Sequence, residues 1–381
     1  MKILIIRTMP NKVDLNAYNL QEIGLAKALV EKGHQCDVMY YNGKSRDRIE
    51  VIKFGDGKSI NVIWKRGFGL YNEGIYPGLK KYVDKYDIVQ VAEYVGIVSA
   101  WLNIFRKNKT VNYHGPYYYE NNRGDILKAK VFDALLLPLS RKKNMVVMTK
   151  SKLATEYIKA KGIENVVTLG VGLDTEKINT TPVEDNDFLR KVKTEKSAYR
   201  YLLYVGEISE RRNSLFLLEL LKKISETRKV KLIVVGNGKS DYVDLWKNRI
   251  RDLELDNLIL YSERLEQQYV GQLYKYADVF LLPTNYEIFG MVLLEAMYFG
   301  VPVFTTYNGG SSTLLNGDNG FIINSLNVDE WMKYICKVLD EPKKWNEVSK
   351  NARRTIEEGY TWNVLADKFL DVYNKRLKMI K

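Results

Sequence analysis

Histidine and cysteine are nearly absent. The 381 residues hold two cysteines, Cys36 and Cys336, and two histidines, His34 and His114. That count excludes a disulfide framework, a cysteine-based zinc site and a histidine-rich metal site. Nowhere do about 18 apolar residues run together, so no segment reads as a membrane span. The opening, MKILIIR, is apolar for only four residues before Arg7, against ~7–15 in a signal-peptide core. It predicts a buried first strand and a cytoplasmic protein. Hydrophobic residues at 46% and aromatics at 12% exclude a disordered chain.

Positive charge is present and unevenly spread. The net charge is +13; residues 1–200 carry 34 basic and 22 acidic residues, whereas 201–381 carry 25 and 24. Residues 101–150 alone hold 10 basic and 3 acidic side chains. Such asymmetry predicts an anionic partner for the N-terminal half, with a solubility bias as the bland alternative. The segment 123–152 mixes apolar residues with Lys128, Lys130, Arg141, Lys142 and Lys143, and Tyr117, Tyr118 and Tyr119 lie nearby. It reads either as an amphipathic surface on anionic lipid or as a buried helix with solvated charged ends. Nucleic acid is not expected, since no recognised binding motif is present.

Apolar runs alternate with helical stretches. They occur at 2–6, 36–41, 60–64, 87–91, 110–113, 145–148 and 165–169, then at 201–205, 230–235, 257–261, 278–282 and 301–305. Alternation of this kind implies parallel sheets covered on both faces. The polar stretch 175–198, with Thr180-Thr181-Pro182 and Glu184-Asp185-Asn186-Asp187, reads as a linker between two doubly wound lobes. Ligands of such sheets bind at the carboxyl ends of strands, so the cleft between lobes is the expected site.

The stretch 278–310 carries the most chemistry. A strand ends at Pro283, a loop presents Glu287, and a helix begins near Phe289 and stops at Gly300, with Pro302 beyond. Glu295 lies eight residues after Glu287, or ~12 Å along a helix, which suits a ligand with a hydroxyl-rich group at each end and an anion between. Gly290, Met291 and Val292 open that helix, where unpaired N–H groups and the positive dipole end favour an anion. The Asn308-Gly309-Gly310 turn predicts a second set of amides. Two solvated glutamates on an exposed helix would be the alternative.

With these residues in view the chain resembles glycosyltransferase family 4, of the GT-B fold. The family's hallmark is present as Glu287, seven residues, Glu295, then Gly300-Val301-Pro302-Val303 and Gly309-Gly310. Gly206, the Arg212-Asn213 pair, Val235-Gly236-Asn237-Gly238, His114-Gly115, Gly172 and Asp174 also resemble family positions. The resemblance implies two Rossmann-like domains facing a central cleft: 1–180 on the acceptor side, with a C-terminal helix at about 364–381 packing back on it, and 195–363 binding a nucleotide sugar. It implies a retaining, metal-independent hexosyltransferase without a cofactor. The donor would be a UDP-sugar, or else a GDP-sugar. The acceptor would be a glycan or lipid-linked hydroxyl in cell-surface polysaccharide synthesis, reached from the cytoplasm or the inner membrane face.

In residues, the resemblance implies that Glu287 contacts the donor sugar, Glu295 the ribose and Arg212 the diphosphate, with His114 facing sugar and acceptor. Gly206, Arg211, Asn213, Gly236, Phe289, Gly290, Met291, Val292, Gly309 and Gly310 would complete the donor pocket, with the base near Arg264 and Leu265. Glu207 stands where the family usually has arginine, so either Arg211 takes that role or the diphosphate site is weaker, and residues 8–18 lack the family's loop glycines. An epimerase or hydrolase on the same fold and a non-catalytic basic membrane-binding protein are the alternatives. Gly236–Ser240 is not an NTPase loop, because Ile233 stands where its first glycine is required. Asp185-Asn186-Asp187 is read as solvated charge rather than a metal motif, and His34 as a surface residue near a helix end.

Overall fold

Each of those apolar runs forms a strand in the computed structural model, which describes residues 1–18, 20–70, 72–118, 123–142, 144–178 and 184–379. The chain divides into two compact units, Met1–Gly172 with Trp362–Lys381, and Leu173–Thr361. The first unit contains β1 (Lys2–Ile6), β2 (Gln35–Tyr41), β3 (Arg48–Phe54), β4 (Lys58–Lys65), β5 (Phe68–Leu70), β6 (Glu73–Ile75), β7 (Ile88–Ala92), β8 (Thr110–His114), β9 (Val147–Thr149) and β10 (Val166–Thr168). Eight of them make one sheet in the order β10-β9-β8-β7-β1-β2-β4-β3, parallel except where β3 pairs antiparallel with β4. β5 and β6 form a separate hairpin. The central strands are buried on both faces and therefore read as continuous apolar runs. Strand β3 gave no such run: it is an edge, and its Ile49 and Val51 are exposed.

The last helix, Trp362–Lys378, packs on the helix Gln21–Glu31 of the same unit. The Trp362 ring fills a notch that two glycines leave open. A Cβ on Gly24 would come within 2.2 Å of the ring, and one on Gly172 within 2.4 Å. Farther along, Tyr373 donates to Gln90 Oε1 at 2.7 Å, and Arg376 donates to the carbonyls of Asn144 and Lys107.

The second unit holds β11 (Arg200–Val205), β12 (Val230–Val235), β13 (Ile259–Ser262), β14 (Val279–Leu282), β15 (Val303–Thr305) and β16 (Phe321–Ile322), all parallel, in the order β13-β12-β11-β14-β15-β16. Counted within the unit this is 3-2-1-4-5-6, the doubly wound dinucleotide-binding order. Its direction reverses between β11 and β14, so the loops after those two strands border the crevice such sheets use for ligands. In the first unit the corresponding reversal lies between β1 and β7.

The expected linker is largely folded. Thr175–Ile178 and Asp187–Glu195 are helices, and the second buries Leu189 and Val192. Asn186 caps it, accepting from the Leu189 N–H at 2.8 Å. A polar run hid an amphipathic helix that exposes its other face, and Thr180-Thr181-Pro182 lies outside the described residues. Residues 173–178, read with the first domain, belong to the second unit. There the Ile178 carbonyl lies against Gly271, where a Cβ would come within 2.5 Å of it.

Candidate active site

At the end of β11 the chain passes Gly206 (φ 155°), and at the end of β12 Gly236 (φ 149°). The two loops pack backbone against backbone. A Cβ on Gly236 would sit 1.9 Å from the Gly206 carbonyl, and one on Gly238 2.0 Å from that of Ile208. No side chain fits at either position, so the glycines set how close the loops lie. The β11 loop then forms a short turn, Glu210–Arg212, and Asn213 (φ 50°) leads into the helix Ser214–Ser225.

That turn is tied to the loop after β14. Asn213 donates to the Pro283 carbonyl at 2.7 Å and to Asn285 Oδ1 at 2.8 Å. Arg211 Nη1 donates to the Tyr286 carbonyl at 2.6 Å, and its Nη2 lies 3.4 Å from Glu207 Oε2. Arg212 Nη2 forms an ion pair with Glu287 Oε2 at 2.7 Å, with both side chains about 15% exposed. The other face of its guanidinium is unused: Nε and Nη1 are buried without a hydrogen-bond partner. Beneath, Tyr204 donates to the Glu207 carbonyl at 2.5 Å; burial pushes its phenol pKa up, although both arginines pull it down. Arg212 and Glu287 thus meet across the switch point. Arg211, proposed from the sequence as a phosphate ligand, spends one guanidinium nitrogen on the Tyr286 carbonyl.

Gly290 (φ 76°) turns the chain into the helix Met291–Tyr298. The N–H groups of Met291 and Val292 begin it, where an α-helix has no internal acceptor for them. The Gly309–Gly310 turn packs against the Glu287 loop. The Gly309 N–H already donates to the Glu287 carbonyl at 2.9 Å. A Cβ on Gly309 would lie 2.1 Å from the Ile288 carbonyl, and one on Gly310 1.8 Å from that of Phe289. Both glycines are buried and anchor the Glu287 loop, so the Gly309 amide is not offered to a phosphate. The Phe289 ring is likewise core, 3% exposed and 6.1 Å from Tyr360. Glu295 is 3% exposed and accepts from Tyr274 at 2.8 Å. Arg264 is exposed and Leu265 half-buried in the loop after β13. Asp187 is 96% exposed and pairs with Arg190. Among the described residues no three His, Cys, Asp or Glu side chains are grouped to hold a metal ion.

In the first unit His114 ends β8 and is fully buried. Its Nδ1 meets Glu93 Oε2 just after β7, and its Nε2 is buried without a hydrogen-bond partner. Tyr94 packs edge-on to the ring at 5.0 Å and Tyr157 stacks on it at 6.0 Å. Burial works to raise the Glu93 pKa, but His114, Lys150 and the Gly115 N–H together hold it below the ordinary value. Arg7, after β1, lies 3.8 Å from Glu22, and its Nε is buried without a hydrogen-bond partner. Glu93, Tyr274 and Arg7 lie outside every motif in the sequence; a polar residue directly after an apolar strand is the signal that singles out Glu93 and Arg7.

The basic segment resolves into the helices Arg123–Leu135 and Leu137–Arg141. Ala129, Phe132 and Leu137 are buried, whereas Leu127 (63%), Val131 (49%), Leu135 (66%) and Leu139 (49%) are exposed on the other side. Lys130, Arg141 and Lys142 are exposed beside them. Tyr117 and Tyr118 pack edge to face at 4.9 Å. Tyr119, Lys143 and the side chain of Lys128 lie outside the described residues.

Comparison with known proteins agrees with this architecture. Residues 185–355 match the family described as Glycosyl transferases group 1, and residues 23–177 match Glycosyltransferase Family 4. The chain is 25% identical to the uncharacterized glycosyltransferase MJ1607 of Methanocaldococcus jannaschii, over 94% of each chain. It is 28% identical to UDP-Gal:alpha-D-GlcNAc-diphosphoundecaprenol alpha-1,3-galactosyltransferase of Escherichia coli, over 53% of this chain and 52% of that one. Among solved structures, sucrose-phosphate synthase from Thermosynechococcus elongatus superposes with a TM-score of 0.73 at 17% identity, over 98% of this chain and 99% of that one. Anabaena Alr3699/HepE in complex with UDP gives 0.72 at 15%, over 98% and 100%. Those structures share the GT-B fold with this chain.

Proposed function

The chain belongs to the GT-B glycosyltransferases of family 4 type, and from that premise we propose that it moves a hexose, with retention, from a nucleotide diphosphate sugar to a hydroxyl acceptor. The observation that carries this reading is the Arg212–Glu287 pair at the switch point of the second unit, with two guanidinium nitrogens still unpaired. An arginine half engaged by a carboxylate retains donors for a second anion, and the donor diphosphate is that anion. As the glycosidic bond breaks, charge grows on the leaving phosphate. Arg212 and the first N–H groups of the helix Met291–Tyr298 stabilise it without a metal. Glu287 accepts hydroxyls of the donor sugar, and Glu295, steadied by Tyr274, accepts from the ribose. The departing phosphate takes the proton of the acceptor hydroxyl as it attacks from the same face.

A UDP-sugar is the favoured donor, since HepE is described with UDP and with UDP-glucose bound. A lipid-linked glycan is the favoured acceptor, since the E. coli relative is named for galactosyl transfer to a diphosphoundecaprenol-linked sugar. The test is thermal stability against uridine, guanosine and adenosine diphosphate sugars, followed by kinetics of Glu295→Ala and Glu287→Ala. Glu295→Ala should abolish the ligand-induced shift, whereas Glu287→Ala should keep it and lose turnover. Unchanged kinetics in both variants would sink the site assignment. Release of free or epimerised sugar without acceptor would indicate a hydrolase or epimerase, and no shift with any donor a non-catalytic protein.

The acceptor reading extends to a surface. Leu127, Val131, Leu135 and Leu139 form an exposed apolar stripe flanked by Lys130, Arg141 and Lys142. Apolar side chains edged with cations match an anionic bilayer, where the leucines enter the acyl boundary and the lysines meet the headgroups. Wild type should float with phosphatidylglycerol vesicles and not with phosphatidylcholine alone, and Leu127→Ser/Leu135→Ser should remain at the bottom. Equal binding of the variant, or none by the wild type, would overturn this surface.

A further inference from the structure

Residue 93 has an unusual backbone. Glu93 adopts φ 62°, in the left-handed region that favours glycine, at the point where the chain leaves β7. A turn requiring only that conformation would be met more easily by glycine or asparagine. Glutamate in such a place needs a reason of its own, and the reason visible here is its carboxylate. Oε2 meets His114 Nδ1 and also receives the Gly115 N–H at 3.4 Å. The Glu93 N–H donates to the Tyr113 carbonyl at 3.1 Å, so strand pairing fixes the residue from both ends.

The imidazole has no freedom to choose another arrangement. It is fully buried, with Tyr94 edge-on and Tyr157 stacked upon it. Several polar groups beside it are engaged. Tyr94 donates to Asp133, which pairs with Lys161, and the Lys150 N–H donates to the His114 carbonyl at 2.8 Å. Nε2 is left buried and unpartnered. A buried polar atom without a partner beside a satisfied network calls for a ligand or a catalytic role.

We propose that Glu93 is a positioning residue for His114, holding the proton on Nδ1 so that Nε2 presents a bare lone pair to a hydroxyl of the sugar substrate. The role rests on the glycosyl-transfer reading above. A carboxylate accepts and cannot donate, so in the neutral imidazole its contact selects the Nδ1–H tautomer and the remaining nitrogen becomes an acceptor. A doubly protonated ring would leave Nε2 a donor and overturn the role. An acceptor nitrogen suits a hydroxyl and disfavours a phosphate oxygen, which assigns this end of the first-unit sheet to carbohydrate rather than to anion. The charged and titratable groups facing the pair are Lys150, Tyr113, Tyr94 and Tyr157, with the Lys161–Asp133 ion pair behind the tyrosines.

The test exploits the scarcity of histidine. With only His34 and His114 in the chain, ¹⁵N-histidine labelling yields two imidazoles, and His34→Gln assigns them. Wild type should show His114 protonated on Nδ1 and bare on Nε2. In Glu93→Gly, whose backbone suits φ 62°, the proton should redistribute toward Nε2. The same variant should lose about tenfold or more in kcat, with nucleotide-sugar Kd unchanged and a single cooperative unfolding transition retained. His114→Gln, whose amide reaches the Nε2 position, should retain more activity than His114→Asn, which reaches only Nδ1. A wild-type His114 protonated on Nε2, a Glu93→Gly enzyme with full turnover, or equal activity of the two His114 variants would each overturn the positioning role alone. A wild type that transfers no sugar would overturn the transferase reading, and the tautomer would still be measurable.

Discussion

The Arg212–Glu287 pair gives the sharpest expectation, because two perturbations should act in opposite directions on the same ligand. Nη2 and Oε2 are 2.7 Å apart, with side chains 14% and 15% exposed. At an effective dielectric near 20, unit charges at that separation attract by about 6 kcal/mol in gross terms. Desolvation and the freezing of two side chains offset much of that, so a coupling of about 1–3 kcal/mol is expected, above the ~0.2–1 kcal/mol of exposed pairs. The assay is a double-mutant cycle of Arg212→Gln and Glu287→Gln, read by urea unfolding and by calorimetric binding of the free nucleoside diphosphate. Glu287→Gln removes a negative charge beside the proposed phosphate site and frees Arg212, so the diphosphate alone should bind several-fold tighter. Arg212→Lys keeps the charge but loses the unpaired Nε and a fork nitrogen. At about 1.5–3 kcal/mol for a charged hydrogen bond it should weaken binding ~10–100-fold. A coupling below about 0.3 kcal/mol, or diphosphate affinity that falls in Glu287→Gln, would refute the reasoning.

Three further expectations concern other parts of the molecule. Tyr274→Phe removes the hydroxyl that holds Glu295; nucleotide affinity measured by calorimetry should fall several-fold while the far-UV spectrum stays unchanged. Gly236→Ala drives a methyl into the Gly206 carbonyl at φ 149°. It should cost on the order of 2–4 kcal/mol in denaturant unfolding and abolish donor binding, because the two loops separate. The Glu93 carboxyl has a folded pKa below its ordinary 4.5, burial opposing the shift and His114 and Lys150 prevailing. A depressed carboxylate pKa contributes stability that is complete above about pH 4.5 and lost as pH falls through the folded value. Wild-type Tm should therefore drop more steeply between about pH 5 and 3 than that of Glu93→Gly.

Much of this protein is local in sequence. Strands buried on both faces read as apolar runs, so the order of strands and helices, and with it two parallel sheets, was available without coordinates. The Glu287–Glu295 segment was equally legible, since loop, glycine and helix start are contiguous and their chemistry depends on short spacing. Strand β3 was not, because an edge strand has no need of a continuous apolar face. Nor was the helix Asp187–Glu195, which hides two buried residues in a charged run.

What the tertiary structure alone decided are the pairings between residues distant in the chain. The Glu287 carboxylate finds Arg212, and the Glu295 carboxylate finds the Tyr274 hydroxyl. His114 finds Glu93, with one ring nitrogen left over. The Gly309 amide is consumed by the Glu287 carbonyl instead of facing outward. Spacing along the chain carries no information about such partners, because the register between parallel strands sets which loop ends meet. In the segment 123–141 composition allowed a buried or an exposed leucine face, and packing of Ala129, Phe132 and Leu137 into the core turned Leu127, Val131 and Leu135 outward. The sequence determines that a doubly wound parallel sheet is built and which loop carries its acidic residues; the close packing of loop backbones onto one another determines which of their polar groups remain available to a ligand.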